Sequence, residues 1–428
     1  MKMLRRAVTL FTGSRDFTFL MAVQFLAQAG DGIVQTALAK FIVFGGQQGF
    51  DLEAARSPDE LLRIALYVFV PYTVVSPFLG VVIDRWDRRR LLMVANGLRA
   101  VVLLALAVAG VGAFGDLPLF LAFLLTLSST RVVLATKAAA LPVALRGDML
   151  VEGNAVSQLG GAMAQLGGAA VAFVAASLVD VEPIVLAGAL VYALGAAAPL
   201  GIEKVGEARA KRSFTAEVAR VARSIVDGIA EVARRPQAGA SITTYFWLRF
   251  LWSFAIVGIG FIARDLVAGD DFLILALTGG SGALGAVLGF VLAAALLERV
   301  ATTARLVVGA AAVAGAAVAL LGAIEVEAAL AVLTFFLGLG FFLGKISLDT
   351  LVQQALGDDF RGRAFSLYDI AYNLAWVLAA TIMQLWWSES LQGGLIASVG
   401  VAFLIGLAAL ALWYRRAGLL RVTTPAAP

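Results

Sequence analysis

The 428-residue sequence contains neither cysteine nor histidine. Without cysteine there are no disulfides, no thiolate nucleophiles and no cysteine-ligated metals. Without histidine there are no histidine-dependent zinc motifs and no serine–histidine triads, so hydrolytic chemistry loses most of its raw material. A proton carried by this chain near neutral pH must therefore ride on a carboxylate. Charge is also scarce: Lys, Arg, Asp and Glu make up 14% of the residues, and 61% are hydrophobic. Soluble domains carry about a quarter charged residues, so this balance points to a polytopic membrane protein. The pattern G-x-x-x-x-G-K-[ST] does not occur, which argues against direct drive by ATP. The opening, MKMLRRAVTLFTGSRDF, is too basic and polar to read as a cleavable signal peptide.

A helix needs roughly 20 apolar residues to cross the hydrocarbon core. Twelve such spans are predicted, at 17–44, 61–83, 91–111, 117–140, 155–176 and 184–202, then 238–262, 272–297, 306–324, 328–346, 364–386 and 391–413. The organisation expected is an N-terminal six-helix half (1–202), a cytoplasmic amphipathic linker (203–236), a C-terminal six-helix half (237–414) and a cytoplasmic tail (415–428). Of the 33 Lys and Arg, 24 lie before span 1, in the loops after even-numbered spans or in the tail; the opposite loops hold only Arg56 and Arg264. Lys and Arg in short loops set orientation, so both termini are expected in the cytoplasm, with the chain multi-pass in a bacterial-type plasma membrane. In the linker, Val218, Val221, Ile225, Ile229 and Val232 recur at steps of three and four, with charged residues between them. That pattern predicts an interfacial helix, either a plain connector or a regulatory or partner-binding element.

The two halves resemble each other. Asp84-Arg85 after span 2 has a counterpart in Glu298-Arg299 after span 8, at an offset of 214. Arg146-Gly147, Asn154 and Gln158 match Arg361-Gly362, Asp369 and Asn373, all at an offset of 215, which is half the chain. A parallel repeat of six helices is the arrangement of one large transporter class. Here a family resemblance becomes specific. GVVIDRWDRRR resembles the loop 2–3 signature of the major facilitator superfamily, ALPVALRGDMLVEGNAVSQLGGAMAQLGGA and ALGDDFRGRAFSLYDIAYNLAW are similar to the corresponding loops of its bacterial exporters, and QAGDGIVQTAL is similar to their first span. Two positions depart from the family pattern: Asp87 stands where the signature has glycine, and the Gly167-Gly168 pair lacks the proline of the antiporter motif.

The resemblance implies an all-α fold of twelve transmembrane helices in two pseudo-symmetric halves. It implies that Asp84, with Arg85 and Arg88, forms a cytoplasmic latch toward the start of span 11, supported by Arg99. It also implies that spans 5 and 8 pack against each other across the halves. Their small residues recur at steps of four: Gly160, Ala164 and Gly168 in span 5, Ser281, Gly285 and Gly289 in span 8. In the family fold, spans 1, 4, 7 and 10 line the central cavity.

Ionisable residues inside spans are costly and mark functional paths. They are Asp31 in span 1, Arg99 in span 3, Arg131 and Lys137 in span 4, Arg249 in span 7, Lys345 and Asp349 at the inner end of span 10, and Asp369 in span 11. Lys40 and Arg63 lie near enough to the outer surface to snorkel. Gln24, Gln28, Asp31 and Gln35 form one polar stripe along span 1, and Ser241, Tyr245, Arg249 and Ser253 form another along span 7. Asn154, Gln158 and Gln165 share a face of span 5, as do Asp369 and Asn373 on span 11. The expected substrate and proton pathway is Asp31, Gln28, Gln35, Arg131, Lys137, Tyr245, Arg249, Asp369 and Asn373. Lys345 and Asp349, one turn apart, are expected to pair with each other.

The function expected is secondary active transport by alternating access, exporting an amphipathic small molecule with proton coupling; cavity helices bearing both charge signs suit a zwitterion. VQFLAQAGD, ATKAAALPVAL and FWLRFLW also resemble bacterial lysophospholipid transporters, with Asp31, Lys137 and Arg249 at matching positions, so lipid movement is the alternative. A non-transporting membrane receptor is a third reading. No enzyme constellation, cofactor, metal site or nucleic-acid partner is expected, and the chain is read as a monomer.

Overall fold

The structure is a computed structural model that describes residues 9–50, 86–113, 115–145, 149–203, 214–266, 271–297, 302–355, 358–387 and 392–420, with single positions between 60 and 78 and at 299. The chain divides into two units, 1–57 with 74–221 and 58–73 with 222–428. The first contains α1 (Arg15–Phe44), α2 (Arg88–Ala109), α3 (Asp116–Ala144), α4 (Leu150–Ala176) and α5 (Val181–Ala197), the last extended by a short 3-10 turn. After α6 (Phe214–Arg234) come α7 (Pro236–Asp265), α8 (Asp271–Leu297), α9 (Thr303–Leu321), α10 (Glu327–Ala355), α11 (Asp358–Trp386) and α12 (Gln392–Arg416). Apart from α6 and α11, these ten helices are long and apolar enough to cross a membrane, and α11 adds a shorter apolar segment, Ile370–Trp386. The predicted second span, 61–83, falls outside the described residues except at single positions.

Local chemistry sets the helix ends. Ser14 starts α1 by accepting a hydrogen bond from the Phe17 amide at 3.2 Å. Asp87 does the same for α2, accepting from the Arg90 amide at 2.9 Å, which gives a physical role to a residue that departs from the family pattern. Pro236 opens α7 in the first turn, where its missing N–H costs nothing.

Within each unit the same helix pairs meet. In the first, α1 packs on α3, α4 and α5, and α2 on α5; in the second, α7 packs on α10, α11 and α12, and α9 on α12. Each of these pairings in one unit recurs in the other six spans later, as a duplicated sequence requires. The glycine stripes are used inside their own units. A Cβ on Gly168 would lie 2.2 Å from the Ala29 carbonyl oxygen, so α4 touches α1 backbone to backbone. A Cβ on Gly285 would lie 2.0 Å from the Phe335 carbonyl oxygen, so α8 meets α10 in the same way.

The first unit closes around Phe17, Leu20, Met21, Leu92 and Val133, the second around Leu248, Leu251, Phe254, Val307 and Leu337. The outer flanks expose Val101, Val108, Leu320 and Ile405 at 65%, 79%, 73% and 68%. Rows of bare aliphatic side chains on such helices make hydrocarbon, not water, the solvent of these faces. The linker periodicity does form a helix, α6. Val232 packs against the core of the second unit while Val226 and Ile229 remain exposed.

Candidate functional site

Midway along α1, Asp31 is fully buried and so is Arg99 of α2; their ion pair measures 2.8 Å. The same carboxylate oxygen, Oδ1, accepts from Thr130 Oγ1 of α3 at 2.8 Å and from Tyr192 Oη of α5 at 2.7 Å. Arg99 also donates to Asn96 Oδ1, and its guanidinium lies 4.1 Å from the centre of the Tyr192 ring. One carboxylate thus ties together α1, α2, α3 and α5. A buried charge is tolerable only when paired and hydrogen-bonded, and this one is. The satisfaction is lopsided, however: among the described residues Asp31 Oδ2 and Arg99 Nε find no hydrogen-bond partner.

Toward the start of α1 a second polar group links α1, α3 and α4. Lys137 Nζ donates to Ser157 Oγ at 2.6 Å, Ser157 Oγ donates to Gln24 Oε1 at 2.7 Å, and Gln24 Nε2 donates to Gln28 Oε1 at 2.7 Å. Lys137 is buried, and among the described residues no carboxylate is within ion-pair distance of it. A Cβ on Gly161 would lie 1.9 Å from Gln28 Oε1, so this glycine makes the room that the glutamines occupy.

The second unit places Arg249 of α7 inside a ring of aromatics. Its guanidinium carbon is 4.0 Å from the centre of the Tyr372 ring, 4.6 Å from that of Trp252 and 5.9 Å from that of Phe341. Tyr245 stacks on Tyr372 at 5.6 Å, which extends the polar stripe of α7 onto α11. Cation–π attraction holds a desolvated guanidinium by its faces and leaves its N–H edge directed elsewhere. Among the described residues Arg249 Nε and Ser253 Oγ, one turn apart and both buried, have no hydrogen-bond partner, and Arg249 meets no carboxylate.

The sequence-predicted residues thus fall into separate groups. Asp31 joins Arg99, Gln28 joins Lys137 through Gln24 and Ser157, and Tyr245 joins Arg249 through Tyr372. Asn373 is buried beside Tyr372 in sequence, and Gln35 and Arg131 are half-buried. Asp84, Arg85 and the side chain of Asp369 lie outside the described residues. Arg88, expected in the latch, donates to the Ala139 carbonyl at 3.0 Å within its own unit. Arg99, expected to support that latch, lies about 16 Å further along α2, on Asp31. Lys345 and Asp349 form the expected one-turn ion pair, at 2.9 Å. Lys40, the cation nearest to Asp31 on its own helix, donates instead to the carbonyls of Gly45 and Gln47 at the end of α1. Tyr192, Thr130, Ser157, Trp252 and Tyr372 were not singled out from the sequence. The one available signal was a phenol in the otherwise apolar α5, since a buried tyrosine hydroxyl needs a partner.

Known proteins match this arrangement. A family model described as Major Facilitator Superfamily matches residues 20–380. An uncharacterized MFS-type transporter of Mycobacterium bovis and one of Mycobacterium tuberculosis are each 33% identical over 147 residues, covering 34% of this chain and 32% of theirs. The chain therefore aligns with about a third of the length of these relatives. Among solved structures, a peptide transporter in complex with sulfate superposes with a TM-score of 0.71 at 14% identity, over 96% of each chain. A nucleoside transporter superposes with a TM-score of 0.62 at 14% identity, over 95% of this chain and 99% of its own. These structures share the fold, and the family match spans most of the sequence. The chain belongs to the Major Facilitator Superfamily, and its long apolar helices make it a multi-pass membrane protein.

Proposed function

We propose that this transporter exports, by alternating access, an amphipathic molecule bearing an anionic or zwitterionic group, with a proton as coupling ion. Arg249 carries this reading. It is a buried cation whose faces are held by Tyr372 and Trp252 and whose Nε and neighbouring Ser253 Oγ lack partners among the described residues. Such a site is organised for an acid group that it does not itself contain, with aromatic surface beside it for an apolar body. Lys137, buried on the Ser157 hydroxyl that in turn bonds Gln24 and through it Gln28, is the corresponding cation of the first unit. The proton is assigned to Asp31, whose charge is felt by four helices at once. The latch role of Asp84, Arg85 and Arg88 rests on the family signature. The same cations favour a second reading, in which the acid group is the phosphate of a lysophospholipid.

The test is uptake into inverted vesicles of a matched pair of amphipathic compounds, one with a carboxylate and one with an amide in its place, and of a lysophospholipid. Arg249→Gln is expected to weaken the acid about 10- to 100-fold, the cost of a lost charge-assisted hydrogen bond, and to leave the amide unchanged. An equal loss for acid and amide would reject the binding role. Transport of the lysophospholipid alone would move the second reading to first.

A further inference from the structure

The second unit carries a feature that transport of an acid group does not use. A half-open cavity of about 490 Å³ lies between α7, α11 and α12, lined by apolar side chains that include Trp247, Phe250, Trp386, Phe403, Gly406 and Trp413. Three of its walls are tryptophans, exposed at 41% (Trp247), 64% (Trp386) and 37% (Trp413). From Val399 to Trp413 the cavity follows α12 for about 21 Å, longer than the roughly 15 Å of one leaflet's hydrocarbon. Just beyond its Trp413 end, past the lining residues, the surface turns basic. Arg415 and Arg416 are exposed in the last turn of α12, and the Trp413 ring would meet a Cβ on Gly239 at 3.4 Å, near the start of α7. Exposed Arg234 ends the preceding helix nearby, its Val232 carbonyl at 3.4 Å from the same Cβ. An apolar channel of leaflet length with arginines at one mouth matches a molecule with a long hydrocarbon tail and an acidic head.

We propose that this groove is a resident binding site for an anionic phospholipid of the surrounding bilayer. One acyl chain lies along α12 between the tryptophans, and the phosphate sits at Arg415 and Arg416. The site is separate from the aromatic ring around Arg249 and does not depend on the nature of the exported substrate. The groove is wide at Gly406, where a Cβ would meet no atom within 4 Å, so Gly406→Leu fills it without moving the backbone. Each arginine beside an anionic headgroup strengthens binding about fivefold, so the pair accounts for roughly 25-fold.

The test uses the full chain in nanodiscs of equimolar phosphatidylcholine and phosphatidylglycerol, with native mass spectrometry of the lipids retained after release. The wild type is expected to retain phosphatidylglycerol in preference to phosphatidylcholine. Gly406→Leu should lose the retained lipid, and the double variant Arg415→Gln/Arg416→Gln should lose the preference by about 25-fold. Circular dichroism confirms that each variant is folded. Equal retention of both lipids by the wild type, or a preference untouched by the double arginine variant, would overturn the proposal. So would a Gly406→Leu protein that keeps its lipid but no longer transports substrate, because the groove would then hold the apolar part of the cargo.

Discussion

Asp31 shows how far a single side chain can be understood from its own helix. The polar stripe of span 1 is legible in the sequence, because Gln24, Gln28 and Asp31 recur at helical steps. Its counter-ion is not, because Arg99 is supplied by another helix, 68 positions away. Proximity between helices is invisible to periodicity within one. The pairing changes what a substitution does. Arg99→Ala leaves a fully buried carboxylate with no cation and, among the described residues, one oxygen already without a partner, and should destabilise the protein by about 3–5 kcal/mol. The double variant Asp31→Asn/Arg99→Gln removes both charges and should recover most of that loss in thermal unfolding in detergent. If Asp31 is also the proton carrier, the recovered double variant should still fail to transport against a gradient while exchanging substrate downhill. Recovery of stability together with normal gradient-driven transport would make the pair a purely structural tie.

At the scale of the helix, small residues decide which surfaces can touch. The steps of four in spans 5 and 8 were legible; the helices that fill them were not. In the structure the span 5 stripe is occupied by α1 and the span 8 stripe by α10, each with a backbone carbonyl where a side chain would stand. Gly168→Leu is therefore expected to force α1 and α4 apart, costing about 1–3 kcal/mol or more, and Gly285→Leu to do the same for α8 and α10. Gly167→Ala and Gly279→Ala are the controls, since a Cβ at either position meets nothing within 4 Å. Both kinds of substitution raise helix propensity, so unfolding temperatures that fall equally in all four variants would rule out close approach as the cause. Helix ends are set by local chemistry in a way that helix partners are not: Ser14 and Asp87 act within three residues of themselves.

For the whole molecule, the strongest sequence signal is the distribution of basic residues, 24 of 33 before span 1, in the loops after even-numbered spans or in the tail. Moving arginines through hydrocarbon is costly, so this asymmetry predicts sidedness without any tertiary information. In a chain free of cysteine, single cysteines replacing Ser57 and Ser213 should react with a membrane-impermeant maleimide from outside and inside respectively. Reversed labelling would refute the orientation. Duplication is the other whole-chain signal. A few matched landmarks at half the chain length anticipated that each unit would repeat the other's helix pairings, and it does so for α1 with α4 and α7 with α11.

What the sequence determined by itself is what depends on composition and on order along one chain: membrane residence, the predicted spans, the basic asymmetry, the repeat and the residues too polar to face lipid. These follow from the cost of placing charge and unpaired backbone groups in hydrocarbon, which acts on each segment separately. The tertiary structure alone decided which polar residues meet. It placed Arg99 on Asp31, Ser157 between Lys137 and Gln24, and Tyr372 over Arg249. Those contacts are made between helices distant in sequence, and their partners are chosen by where apolar faces and glycines allow helices to approach.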